Sequence, residues 1–280
     1  MKKKALLKDT LREIRKSFGR FFSIFAIVGI GVAFFAGVRD SVPVMKNTAD
    51  TYFDDYNFMD LKIMSTIGMT KEDVSAIRQV DGVAGVYGSY SMDVLNTHNN
   101  QQRVYKLLSY PMNAKAEDEN YINQMRLIKG RLPQKADECV IEYTNIKGAD
   151  SRIGETITFA SGTDEKLDAS LKRSTYKIVG EVTMPYYLSY EKGSSAIGSG
   201  SIDNYAVIPD TNFKSSYYTE VYVTVDGAKK PNSYADAYFD IIDPKKTTIT
   251  ALGEERAQER FDDIKKEALA KVEAGRKEYE

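Results

Sequence analysis

Apolar and polar positions are interspersed along most of this chain, but between Phe21 and Gly37 the apolar run is not interrupted by any charge. That stretch, "FFSIFAIVGIGVAFFAG", carries no charge and lies between Arg20 and Arg39. The uncharged run to Val38 is about eighteen residues, a helix of about 27 Å, at the short end for a hydrocarbon core. Val42, Val44 and Met45 can extend it. A cleaved signal would have a short basic leader and small residues at its exit. Here a long leader contains Asp9 and Glu13, and Phe34 and Phe35 occupy the exit. A core helix would be shorter or show a polar face. The pattern predicts an uncleaved transmembrane helix over 21–40.

Before it, Leu7, Leu11, Ile14 and Phe18 recur at helical spacing, with Lys and Arg on the other face. This predicts an interfacial amphipathic helix over 1–20, with an ordinary solvated basic helix as the alternative. The excess of Lys and Arg ahead of the span sets the N-terminus in the cytoplasm and the body outside, single-pass in the plasma membrane.

Beyond the membrane segment the period shortens. "FMDLKIMST" alternates as a half-buried strand. "MTKEDVSAIRQV" opens with Thr70 as N-cap and Asp73 three residues on, with Val74, Ile77 and Val80 as its apolar side. Gly82 closes the helix and "GVAGVYGSYSMDVLN" returns as a strand, making a βαβ unit; "QRVYKLLSY" adds another. "MNAKAEDENYINQ" predicts a helix and crossover. Short strands punctuated by Gly and Pro follow, then the alternating "YTEVYVTV" and a helix at "NSYADAYFDIID". From Leu252 the chain is dense in charge of both signs around Ala257, Phe261, Ile264, Ala268 and Val272, the pattern of a coiled coil. Without a partner helix, residues after about Leu252 are expected to fray or to self-associate loosely.

Composition narrows the function. Charged residues make up 28% and hydrophobic ones 42%, with formal net charge −1. No basic stripe marks the large region, which excludes nucleic acid as its partner. A single cysteine, Cys139, permits no intrachain disulfide or thiolate cage, and a single histidine makes a transition-metal site unfavourable. Gly148 and Gly154 are not followed by a Lys–Ser/Thr pair, so no phosphate-cradling loop is present. "GSSAIGSGS", Gly193 to Ser201, precedes a strand instead of a helix and reads as a turn.

His98, Cys139 and Arg131 would make a transpeptidase set only if they converged. His98 sits in a predicted turn and Cys139 at a strand start flanked by acids, so an inert buried thiol is expected. "GRLPQ", Gly130 to Gln134, reads as architecture. "MPYYLSY" offers aromatics to a partner or lipid, or packs them on a sheet. No catalytic, cofactor or metal residue is assigned, and no enzyme activity is expected.

Several phrases, in order over nearly the whole chain, resemble FtsX/MacB-like ABC transporter permeases of the long Gram-positive type. They are "LREIRKSFGRFFSIFAIVGIGVAFFAGV", "MDLKIMSTIGMTKEDVSAIRQVDGVAGV", "GRLPQKADECVI" with "IGETITF", "YKIVGEVTMPYYLSYEKGSSAIGSGSIDNYAVIP" and "GAKKPNSYADAYFDII". The resemblance implies an α+β extracellular domain of two lobes. A membrane-proximal porter-like lobe would take 41–112 and 215–245, an inserted sabre-like lobe 113–214, and the start of an extracellular coiled-coil stalk 246–280. It further implies the N-terminal part of a non-catalytic permease subunit that works with a separate cytoplasmic ABC ATPase. Other partners it implies are the lipid bilayer, a second permease copy, and an extracellular wall or peptide partner. Motion of the ATPase would be transmitted to export of a peptide or lipid-like substrate, or to a wall-active partner. The alternative is a membrane-anchored extracellular sensor or binding domain of a signalling protein.

Overall fold

The computed structural model describes residues 2–112, 114–144 and 151–279. The chain divides into two compact units, Met1–Thr51 and Tyr52–Glu280. In the first, α1 (Lys2–Lys16) is followed at Ser17 by a turn and then by α2 (Phe18–Asp55), which runs on into the second unit. Among the described residues α2 is the helix long and apolar enough to cross a membrane, and none of its apolar window is buried. Its 38 residues correspond to about 57 Å of helix, beyond the predicted span. Pro43 lies inside it.

The second unit contains two sheets. The smaller has the order β1-β10-β2, formed by β1 (Leu61–Met69), β2 (Val83–Ser89) and β10 (Tyr218–Val225). Both outer strands run antiparallel to β10, so β1 and β2 are the parallel pair of a split βαβ unit with α3 (Lys71–Arg78) between them. Thr70 and Asp73 complete the capping box, with Thr70 Oγ1 accepting from the Asp73 N–H and the Asp73 carboxylate accepting from the Thr70 N–H. Val74, Ile77, Val86, Val221 and Val223 build the core on the helix side.

The larger sheet has the order β3-β4-β9-β6-β8-β5, with β7 pairing β8. Its strands are β3 (Ser91–His98), β4 (Gln101–Tyr110), β5 (Arg126–Gly130), β6 (Glu138–Glu142), β7 (Thr156–Thr158), β8 (Thr175–Thr183) and β9 (Asn204–Pro209). Pairs β4–β9 and β6–β8 are parallel, the rest antiparallel. Successive residues feed opposite faces: Leu107, Cys139, Ile141, Ala206 and Ile208 enter one core, Leu108, Val140, Tyr205 and Val207 the other. A sheet covered on both faces needs unbroken apolar runs, which is why "ECVIE" and "NYAVIP" lack clean alternation. The architecture is α+β with an apolar N-terminal helix, as the sequence predicts.

Strands β3 and β4 hydrogen-bond into the larger sheet, and only Tyr90 separates β3 from β2 in the other sheet. Two segments differ from the sequence expectation. The segment 114–125 forms no helix. Asn123 adopts φ +58, and Asn120 Oδ1 accepts from the Val86 N–H, so the segment covers the outer edge of β2. Gly85 permits this close approach, since a Cβ there would lie 2.2 Å from the Glu119 carbonyl oxygen. Finally, α4 (Asp236–Tyr279) is continuous through Pro244 where two helices were expected.

Candidate functional site: the junction between the entering and leaving helices

Side chains with polar chemistry gather where the end of α2, the two sheets and α4 meet within the second unit. The chain leaving α2 is fastened first. The Asn57 side chain donates to the carbonyls of Glu119 and Tyr121, and the Asn57 carbonyl accepts from the Asn123 N–H. The Tyr56 carbonyl accepts from the Gln124 N–H, while Asn123 Oδ1 accepts from the Met59 N–H. Asn57 itself adopts φ +46, a conformation Asn tolerates better than most residues, and this lets the chain turn from helix into β1. Tyr52 Oη and Thr183 Oγ1 lie 3.3 Å apart, tying the last turns of α2 to β8.

One face of the small sheet is polar and looks into the junction. Its members follow from register: Lys62 opposes Tyr222, Tyr222 opposes Tyr87, and Glu220 opposes Ser89. Glu220 is 3% exposed, so its carboxylate must be compensated. Lys62 Nζ donates to it at 2.9 Å, Ser91 Oγ at 3.2 Å, and the Tyr222 hydroxyl donates as well. Lys62 also donates to the Tyr186 hydroxyl. Burial alone would lower the Lys62 pKa, but its bonds to Tyr186 and Glu220 outweigh this and leave it raised. Burial drives the Tyr222 hydroxyl well above its ordinary range. The adjacent cavity, lined by residues including Tyr87, Ser109, Tyr121, Tyr186 and Tyr222, holds about 20 Å³. That is room for a water-sized group and far below the volume of a substrate pocket.

The leaving helix is strapped by acids from three places in the chain: ahead of β1, in α3 and in the turn before β2. Asp60 accepts from the Tyr238 hydroxyl at 2.8 Å and from the Val225 N–H at 2.7 Å. Burial raises the Asp60 pKa against those two bonds. Lys245 meets Asp81 at 3.4 Å, and Arg256 Nε donates to Asp73 at 2.8 Å. Burial opposes ionisation of Asp73, but bonds from Thr70 and Arg256 prevail and its pKa is lowered. Tyr238, Ile242, Lys245, Ile249, Leu252, Arg256 and Arg260 recur at spacings of three and four, one face of α4. Ile242 and Ile249 are buried, Leu252 packs against the small-sheet core, and the Arg260 guanidinium lies 4.4 Å from the Tyr217 ring centroid. Docking therefore continues about two turns past Leu252, where fraying was expected to begin. Phe261, Ile264, Leu269 and Val272 are exposed beyond it.

The residues weighed for chemistry are not brought together. His98 is exposed at the end of the β3–β4 hairpin, whose Asn99 and Asn100 adopt φ +50 and +60. Cys139 is buried in the large-sheet core, and that burial pushes its thiol up to about 12. The shift comes from burial, not from the flanking acids the sequence suggested. Arg131 is engaged by both carboxylate oxygens of Glu138, which also accepts from the Gln134 and Lys135 N–H groups. These bonds, Arg131 first, hold the Glu138 pKa down at about 2. Gly130 adopts φ +76, with the Val179 carbonyl 2.3 Å from where a Cβ would sit, so "GRLPQ" is a clamp.

The loop at Gly193–Ser201 packs down through Ser195 Oγ to Asp93 at 2.6 Å and through buried Ile197. In "MPYYLSY", Tyr187 stacks on Tyr205 at 4.8 Å and Tyr186 lies 6.0 Å from Tyr222, whereas Tyr190 is 96% exposed. Gly148 lies outside the described residues. No group of three or more potential metal ligands occurs among the described residues.

A family profile described as MacB-like periplasmic core domain matches residues 21–238. No curated protein matches the chain. Among solved structures, the extracellular domain of the noncanonic ABC-type transporter YknZ from Gram-positive bacteria is similar at 14% identity. The match covers 59% of this chain and 78% of that one, with TM-score 0.36. The periplasmic region of MacB from Actinobacillus actinomycetemcomitans is similar at 12% identity, covering 67% of this chain and 76% of that one, with TM-score 0.34. The profile spans most of the chain and carries the assignment. The chain belongs to the MacB-like periplasmic core domain family, the membrane-anchored domain of FtsX/MacB-like ABC transporter permeases, which work with a cytoplasmic ABC ATPase.

Proposed function

We propose that this domain is the extracellular lever of a non-catalytic permease subunit. A separate cytoplasmic ATPase moves α2, and the junction passes that motion to α4 and to whatever α4 engages outside. The observation that carries the reading is two sets of bonds, from Tyr56 and Asn57 to Asn123 and Gln124, and from Asp60 to Tyr238. They fasten the end of α2 and the first turn of α4 to one compact unit. The cavity beside Glu220 is water-sized, so the junction itself serves this reading as a fastening and not as a substrate pocket.

In this reading the small sheet with α3 and the first half of α4 forms the membrane-proximal lobe, and the larger sheet forms the outer lobe. The distal stripe of Phe261, Ile264 and Val272 is where a coiled-coil partner of the stalk would pack. Output is export of a peptide or lipid-like substrate, or action on a wall-active partner.

The reading requires the N-terminus inside and the body outside, the orientation favoured by the basic leader. A cysteine introduced at Ser201, exposed on the packed loop, is expected to react with an impermeant maleimide in intact cells. Reaction only after lysis would reverse the topology and remove the basis for an extracellular lever.

A further inference from the structure

The leader helix α1 carries a charge asymmetry about its apolar stripe. Leu7, Leu11 and Phe18 are 65%, 59% and 60% exposed and lie along one face at spacings of four and seven. At 3.6 residues per turn, Lys8, Arg12 and Arg15 fall on one flank of that stripe, and Asp9 and Glu13 on the face opposite it. Lys16 leans on Glu13 at 3.9 Å, whereas Lys8, Arg12 and Arg15 form no ion pair among the described residues. The stripe runs into the apolar surface of α2 through Phe18, whose ring lies 5.9 Å from that of Phe22. Ser17 interrupts the helix between them, its hydroxyl donating to the Glu13 carbonyl, a bond of the type that bends helices.

We propose that α1 is a selective docking surface for anionic lipid headgroups. Its stripe enters the interface beside the mouth of α2, and Lys8, Arg12 and Arg15 lie against phosphate while Asp9 and Glu13 turn away from it. The proposal rests on the anchor reading of α2. Neutral lipid would satisfy the leucines alone; the unpaired basic flank is what demands negative charge. Near an anionic surface each Lys or Arg contributes on the order of a fivefold preference, so the three together give roughly a hundredfold. An acidic surface on a protein partner is the other way to satisfy the flank, but it would leave the leucine stripe uncovered.

The chain contains no tryptophan, so Leu11→Trp supplies a lone indole reporter. The full chain carrying it is reconstituted in vesicles of phosphatidylcholine with or without phosphatidylglycerol, with brominated acyl chains as quencher. The expected result is blue-shifted, strongly quenched emission only when phosphatidylglycerol is present, lost at high salt. It should also be lost in the variant with Lys8→Gln, Arg12→Gln and Arg15→Gln, which should still float with the vesicles through α2. Equal quenching in both lipids would overturn the selectivity. Water-like emission in both would overturn lipid docking and point to a protein partner. A chain that fails to float at all would overturn the anchor itself, an outcome distinct from the other two.

Discussion

Arg256 on α4 donates through Nε to Asp73 at 2.8 Å, and the Asp73 carboxylate also caps α3 by accepting the Thr70 N–H at 2.8 Å. A single carboxylate therefore holds the first turn of one helix and the flank of another. The local and the long-range bond share one residue, so they are expected to fail together.

Replacing Asp73 with Ala should remove both. The expected cost is about 1 kcal/mol of stability, chiefly the lost half of the capping box, since the Thr70 hydroxyl still accepts the N–H of residue 73. Arg256→Ala, which leaves the cap intact, should cost under about 1 kcal/mol because the guanidinium is partly exposed. Chemical denaturation reports the two costs. Amide exchange should quicken between Lys245 and Arg260 in both variants, and in α3 only for Asp73→Ala. Unchanged exchange in α4 for both would mean that its docking depends on Ile242 and Ile249 alone.

Acid should act through the clamp at Glu138. Its pKa is held at about 2 in the folded protein against an ordinary value of 4.5. A depressed carboxylate contributes stability that is complete above the ordinary value and is lost as pH falls through the folded one. The stability difference between the native chain and Glu138→Gln should therefore be constant above about pH 4.5 and shrink towards about pH 2. A difference that stayed level across this window, or grew on acidification, would contradict the assigned cause.

Much of this was legible in the chain because it is local. The apolar run predicts α2, the Thr70–Asp73 spacing predicts the cap of α3, and alternation in "YTEVYVTV" predicts β10, the central strand of its sheet. The junction was not legible because its members are remote. Lys62 and Glu220 meet only through the register of β1 on β10, and Asp60 reaches Tyr238 across the whole second unit. Local composition also misled at 114–125, where polar residues suggestive of a helix instead bond the edge of β2 and the turn at Asn57. One signal was present and passed over: the spacing of three and four from Tyr238 through Pro244 to Arg260, which marks a single docked face.

The central claim is that α4 moves with the domain when the ATPase turns over. Cys139 is buried with its thiol pKa near 12, so a cysteine introduced at exposed Ala257 can be labelled selectively. Resonance transfer from a dye at Ala257→Cys to an acceptor in the bilayer headgroups is measured in the assembled permease and ATPase, with and without ATP. A matched dye at Gln102→Cys, exposed on β4, reports the larger sheet. The account predicts that both transfers change together on adding ATP, and that Asp73→Ala blunts the change at Ala257 alone. ATP turnover with no change at either position, or a change at Ala257 that leaves Gln102 fixed, would contradict it.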